Sequence, residues 1–295
     1  MEVTKIQKLY EKYKGLLFTL AYQLTGSTSD AEDAVQDVFL KLHDINLDRL
    51  VEPKAYLCKM VTNGCRDLNK SARKRREQYF GEWLPEPIAI SDDEPFESVV
   101  QGELLSYGIL VLLEKLSPTE RAVFVLHEAL GFKYPEIAEI VGKSEVNCRK
   151  LFSRARGKLG NTFGESVHLE VASEEWIYQF LTALEQDNVG AIVSMLAEDV
   201  VLVSDGGGKA HAAVHPIVSS NLVSRFLLGL FRKAQHNEEG PSFETMNING
   251  QTGVVISSGK NIEAVVLIHV ERNAICNLYI VRNPDKLKAF IDRKK

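Results

Sequence analysis

Six side chains near the middle of the chain, Asn147, Arg149, Lys150, Ser153, Arg154 and Arg156, have the chemistry to contact nucleic acid. Arginine and lysine bind phosphate oxygens or the acceptor edge of guanine, and asparagine pairs with adenine. Their spacing leaves them mostly on one side of a helix whose other side carries Cys148, Leu151, Phe152, Ala155 and Leu159. The residues just before that helix supply what is needed to position it. Pro135 suits the first turn of a short helix with Ile137, Ala138, Ile140 and Val141 on its apolar face. Gly142 can end that helix in the left-handed conformation, and Ser144 can cap the next one. A short helix, a glycine turn and a basic second helix is the grammar of a helix-turn-helix that enters the major groove. The plainer alternative is a solvated helical hairpin with ordinary surface charge.

Two other stretches carry patterned charge. A helix from Asp30 to His43 is predicted, with Ser29 and Glu32 as a capping box and Ala34, Val35, Val38, Phe39 and Leu42 facing inward. Its other face presents Glu32, Asp33, Gln36, Asp37 and Lys41, suited to a basic partner or simply to water. A further helix runs from Lys54 into a basic end, with Arg66, Lys70, Arg73, Lys74, Arg75 and Arg76 opposed only by Asp67 before Glu77. Such a run contacts phosphates more readily than bases, although Asn63 and Asn69 could reach a base edge. An amphipathic helix over residues 5 to 25 precedes both.

The totals limit how these patches can act. The chain has 295 residues, enough for two or three domains, and is 45% hydrophobic and 25% charged, which is a globular composition. A net charge of -5 argues against coating nucleic acid by charge alone. Any DNA binding must therefore come from local patches, helped by a partner that supplies most of the affinity. No signal-peptide core or membrane-length apolar run occurs. Cys58, Cys65, Cys148 and Cys276 form no Cys-x-x-Cys pair and have no histidine at zinc spacing, which predicts thiols in a cytoplasmic protein and no metal.

Residues 78 to 98 read as a linker, because Pro85, Pro87 and Pro95 disfavour a regular element and Asp92, Asp93 and Glu94 are charged. Trp83 and Leu84 are unusual for a spacer and predict docking on another surface. A second helical unit follows, in which Ser117-Pro118-Thr119-Glu120 is a strong helix start and Gly131 a stop. The last third changes character. Helices are predicted over residues 174 to 184, 189 to 196 and 219 to 233, and strands from Val200 and over 251 to 257, 264 to 270 and 275 to 281. This is an α+β domain, a curved sheet with helices on one face. Its Asp205-Gly206-Gly207-Gly208-Lys209 turn lacks the spacing of a phosphate loop.

The order of these segments resembles the extracytoplasmic-function (ECF) sigma factors over roughly residues 5 to 160. The quoted segments are Asp30 to His43, the Thr62-Asn63…Asp67 helix, the helix opened by Ser117, and the helix-turn-helix. Three more segments resemble the SigJ-like subgroup with a fused SnoaL-like domain. They are Gly81-Glu82-Trp83-Leu84-Pro85-Glu86-Pro87, Asp205 to Lys209, and Asn283-Pro284-Asp285-Lys286-Leu287. The resemblance implies two all-α sigma domains, the second a helix-turn-helix, joined by a Pro-rich linker and followed by an α+β SnoaL-like cone. It divides the chain into residues 1–77 (region-2-like), 78–98 (linker), 99–162 (region-4-like) and 170–295 (SnoaL-like).

The resemblance also assigns roles. Asp33, Gln36, Asp37 and Lys41 fall on the helix that meets the beta-prime clamp of core RNA polymerase, whose beta flap is a further partner. Asn63, Arg66, Asp67, Lys70, Arg73 and Lys74 fall where the family contacts and melts the −10 element, with a base pocket within Ile45 to Val51. Asn147, Arg149, Lys150, Ser153, Arg154 and Arg156 fall on the −35 helix, where Gly157 departs from the family pattern. The cone stands in place of a separate anti-sigma factor. Trp83, Leu84, Pro85, Pro87, Asp205, Gly206, Gly207, Gly208, Lys209, Asn283, Pro284, Asp285, Lys286 and Leu287 are then expected at an interdomain, regulatory contact. A small-molecule ligand of the cone is a further candidate partner; no cofactor and no catalytic residue is expected. Asp205, His211 and His215 match no catalytic spacing, and the two histidines read as turn or surface residues. The alternative function is a stand-alone, ligand-sensing helix-turn-helix regulator. Residues 1 to 76 count against it, since such a regulator needs only one DNA-reading unit.

Overall fold

Apolar residues at helical spacing organise the first half of the chain. A computed structural model describes residues 2–47, 50–77, 79–90, 106–160, 172–235 and 240–293. They fall into two compact units: the first holds residues 2–77 and 109–160, the second 79–90, 106–108 and 172–293.

In the first unit, α1 (Glu2–Thr25), α2 (Thr28–Lys41) and α3 (Pro53–Glu77) pack around Leu17, Leu20, Ala21, Val35, Val38, Leu57 and Val61, all buried. The cap of α2 is Ser27, whose hydroxyl accepts the Asp30 N–H at 3.3 Å, not the expected Ser29. Ser27 wins because its own backbone is extended while the following residues have already turned helical. After α4 (Tyr107–Leu113) comes α5 (Pro118–Glu128), opened by a complete capping box between Ser117 and Glu120. Then α6 (Tyr134–Val141), Gly142 at φ 66° and α7 (Glu145–Leu159) form the helix-turn-helix. Ser144 caps α7 by accepting the Asn147 N–H. Cys148, Phe152, Ala155 and Leu159 are buried, and Phe152 stacks on Phe124 of α5 with ring centroids 5.9 Å apart.

The second unit contains α8 (Glu174–Glu185), α9 (Val189–Met195), β1 (Leu196–Asp205), β2 (Ile217–Val218), α10 (Ser220–Gln235), β3 (Ser242–Ile248), β4 (Gln251–Ser258), β5 (Asn261–Glu271), β6 (Ala274–Val281) and a short α11 (Lys288–Arg293). The sheet order is β2-β1-β6-β5-β4-β3, with β1 parallel to β6 and every other pair antiparallel. Strand β3 was not expected, because Ser242 to Ile248 alternates Glu244, Thr245 and Asn247 with only three apolar residues. Strand β1 begins at Leu196, earlier than the expected Val200. The helices cover one face of the sheet, burying Phe180, Leu181, Val223, Leu227 and Phe231 against Val254, Val266, Ile268, Leu278 and Ile280. Alternate residues of the same strands, Val255, Val265, Leu267 and Tyr279, are buried on the other face.

Candidate functional site

The candidate DNA-reading side chains stand where a duplex could reach them. Asn147, Arg149, Lys150, Ser153, Arg154 and Arg156 are all exposed on α7. Arg149 is steadied by Glu145 at 2.7 Å and lies over the Tyr134 ring at 4.4 Å, so its guanidinium is presented with a fixed plane. Val146, at the start of α7 and not singled out in the sequence, is 64% exposed. An apolar branched side chain there suits the methyl group of thymine. Its signal in the sequence was its position beside Asn147, one step off the buried stripe.

Asp33, Gln36, Asp37 and Lys41 are exposed along α2, with Lys41 and Asp37 4.0 Å apart. Leu40, 66% exposed, sits within this polar face. On α3, Asn63 is half-buried, and Arg66 and Asp67 are exposed. The side chains of Lys70, Arg73 and Lys74 lie outside the described residues, as do Asp48 and Arg49 of the Ile45 to Val51 loop.

Arg66 and Thr62 share a small cleft with Pro118, Thr119 and Ala122 of α5 and Val141 of α6, so α3 packs against the helix-turn-helix elements. Arg121 ties α5 instead to α1 and to the segment after α4. Its Nε donates to the Gln23 carbonyl at 2.7 Å and its Nη1 to Glu114. Its side chain is buried, yet Nη2 finds no hydrogen-bond partner among the described residues. Glu120 reaches across to α7 as well, accepting from Lys158 at 2.6 Å. Burial pushes the Glu120 carboxyl up, but Lys158 and Ser117 outweigh it and hold the group below the ordinary range.

The second cluster gathers three distant stretches around one carboxylate. Asp205 ends β1 and is fully buried. Its Oδ1 accepts from the Tyr79 hydroxyl at 2.6 Å and the Gly207 N–H at 3.0 Å. Its Oδ2 accepts from the Leu84 N–H at 2.9 Å and Lys286 Nζ at 2.7 Å. Its backbone carbonyl takes the N–H groups of Arg282 and Asn283. Lys286 also donates to the Leu84 carbonyl and lies 4.1 Å over the Trp83 ring. Asn283 Nδ2 donates to the Tyr79 oxygen at 2.7 Å. Burial, and then the Asp205 carboxylate, push the Tyr79 phenol well above its ordinary value.

The glycines are required for steric reasons. A Cβ on Gly207, which has φ 59°, would sit 2.3 Å from Asn283 Nδ2; one on Gly206 would sit 2.1 Å from the Ala210 carbonyl oxygen. Lys209 pairs with Asp285 at 2.5 Å on the rim, and that contact draws the Asp285 carboxyl down. Pro284 opens the short helical turn that Asn283 caps, and Leu287 is buried. Pro87 lies among residues 79–90, and just beyond it Ile88 and Ile90 run along the sheet edge. Ile88 N–H donates to Asn249 Oδ1 at 2.9 Å and Ile90 N–H to the Asn247 carbonyl at 2.9 Å. Tyr107, not singled out in the sequence, is fully buried: its hydroxyl donates to the Pro85 carbonyl at 2.6 Å and its ring meets Tyr279. His211 and His215 are exposed and make no bond to Asp205, whose four acceptor positions are taken.

Comparison with known proteins agrees with this layout. Sigma-70 region 2 matches residues 9–76 and Sigma-70 region 4 matches residues 108–159. The ECF RNA polymerase sigma factor SigJ of Mycobacterium tuberculosis is 33% identical over 97% of this chain and 93% of its own length. The chain belongs to the ECF RNA polymerase sigma factors. The probable ECF sigma factor SigI of Mycobacterium tuberculosis is 26% identical over 96% of this chain and 94% of its own. The crystal structure of Mycobacterium tuberculosis SigJ superimposes on 98% of the chain, covering 99% of that structure, with a TM-score of 0.77 and 30% identity. This ECF sigma factor therefore shares its α+β C-terminal domain as well as its helical regions with that relative. Among the described residues no helix is long and apolar enough to cross a membrane.

Proposed function

We propose that this ECF sigma factor directs core RNA polymerase to promoters and that its own C-terminal domain sets how far its DNA-reading regions can separate. The reading rests on one observation: a single compact unit carries an exposed acidic face on α2 and an exposed basic face on α7. In this reading Asp33, Gln36, Asp37 and Lys41 dock on the beta-prime clamp, and region 4 docks on the beta flap. Asn63, Arg66, Asp67, Lys70, Arg73 and Lys74 serve the −10 element. Asn147, Arg149, Lys150, Ser153, Arg154 and Arg156 serve the −35 element, with discrimination of about 1–3 kcal/mol for each bidentate base contact. The functional domains are residues 1–77, 99–162 and 170–295, acting in the cytoplasm with the polymerase, and the cone holds a small molecule.

Regulation follows from linker reach. The element labels put −10 and −35 about 25 base pairs apart, or ~85 Å at ~3.4 Å per pair. Residues 78–106 could span ~100 Å if fully extended. The Asp205 cluster grips Tyr79 and Leu84, and Tyr107 is bonded to Pro85. With that grip closed, the path from Glu77 to Tyr107 shrinks to ~35 Å. The closed grip thus favours the packing of α3 on α5 and α6, and releasing it lets both promoter elements be met at once. Changing Asp33 and Asp37 to Lys tests the core of the reading. Binding to core polymerase should fall by at least about tenfold in a pull-down titration; undiminished binding would refute it.

A further inference from the structure

The helix-covered face of the cone encloses a cavity of about 340 Å³. That is at the small end of ligand sites and roughly twice the ~150 Å³ that accommodates benzene. Phe180, Leu184, Phe231, Phe243, Val266 and Ile280 represent its walls, and among the described residues no titratable side chain lines that apolar part. Among the described residues its charged lining is Lys233, Glu263 and Arg282, with His211 beside them. The strand register explains why three of the polar groups gather at one end. Ser257 pairs with Ile262 and Val265 with Val281, so the end of β4, the start of β5 and the end of β6 lie side by side. Arg282 is half-buried there, 3.5 Å from Glu263, while Lys233 in the last turn of α10 has no acidic partner among the described residues.

Arg282 also joins this end to the linker grip. Its Nη1 donates to the His211 carbonyl at 2.7 Å, bracing the loop that follows Gly208. Its own N–H donates to the Asp205 carbonyl at 2.7 Å. Arg282 gives Nη2 to Glu263 in a long 3.5 Å contact and Nη1 to a neutral carbonyl, and at Nη1 a ligand carboxylate competes well because charge-assisted hydrogen bonds are roughly twice as strong.

We propose that the cone binds a small apolar monocarboxylate, its body in the cavity and its carboxylate at Arg282 and Lys233, and that binding loosens the grip on the linker. The carboxylate draws Arg282 from the His211 carbonyl. The loop from Gly206 to Ala213 loses that brace, and Asp205 holds Tyr79 and Leu84 less firmly. This rests on the regulatory reading above, with the ligand as the inducing signal.

The test uses the full chain with 1-naphthoate as probe and 1-naphthalenemethanol as its uncharged counterpart. Calorimetric titration should show naphthoate binding about tenfold or more tighter than the alcohol, and Arg282→Met should abolish that preference while the alcohol still binds. Saturating naphthoate should speed amide hydrogen exchange at Leu84 by about threefold or more. A second variant, Leu230→Phe, narrows the cavity without touching the charged end and should weaken both probes. No binding of either probe, or equal binding of both by the unaltered chain, overturns the site. Binding with unchanged exchange at Leu84 overturns the coupling. Neither failure touches sigma activity, which run-off transcription reads separately.

Discussion

Each unit buries a charged side chain that ties together segments far apart in the chain, and the two are satisfied to different degrees. Asp205 in the second unit has four donors on two oxygens, one of them an ammonium. Arg121 in the first unit bonds one carbonyl and one half-buried carboxylate, and its Nη2 is without a partner among the described residues. A fully satisfied buried network fixes one geometry, whereas a partly satisfied one leaves its surfaces closer to separation. The linker contact around Asp205 is therefore the more completely satisfied of the two. In the proposed function the contact of α5 with α1, which Arg121 makes, is where the first unit separates.

The largest effect should come from Asp205→Ala, which leaves the half-buried Lys286 without its counter-charge. Urea unfolding of the full chain should show a loss of about 3–5 kcal/mol in the transition of the second unit. Gly207→Ala should cost about 1–3 kcal/mol by the same measurement, because its Cβ has no room against Asn283. Tyr79→Phe, which removes one donor and one acceptor, should cost about 1–2 kcal/mol. Tyr79 also gives the comparison a pH signature. Its folded value is raised, so its contribution is complete below the ordinary phenol value near 10 and is lost as pH climbs beyond it. The unaltered chain should lose linker protection above about pH 10, and Tyr79→Phe should flatten that dependence. The smallest effect on stability belongs to Arg121→Met, about 1 kcal/mol or less, since an apolar side chain of similar volume fits and Glu114 can turn to water. Hydrogen exchange in α5 should nevertheless quicken. A loss as large as that of Asp205→Ala would erase the distinction between the two buried charges.

Local signals made most of the helical unit readable in advance. Pro135, Gly142 and Ser144 act through their own backbone and nearest neighbours, so the helix-turn-helix was legible residue by residue. Ser27 and Ser29 are chemically alike, and only the backbone turn at Thr28 decides between them. Strand β3 is held by its pairing with β4 and carries too little alternation to announce itself. Trp83, Asp205 and Lys286 could be named from sequence, but not the way they meet, because they lie more than eighty residues apart in pairs. Tyr107 gave no sign at all: one aromatic residue at a helix start reads as core. The cavity is a property of packed surfaces, which no stretch of sequence displays.

The most direct measurement of the central claim is run-off transcription with core RNA polymerase on a promoter library, comparing the full chain with its Asp205→Ala variant. Initiation should require this protein, and output should rise when the grip on the linker is broken. Failure of either protein to support initiation, while the unaltered chain binds duplex DNA tightly without polymerase, would contradict it.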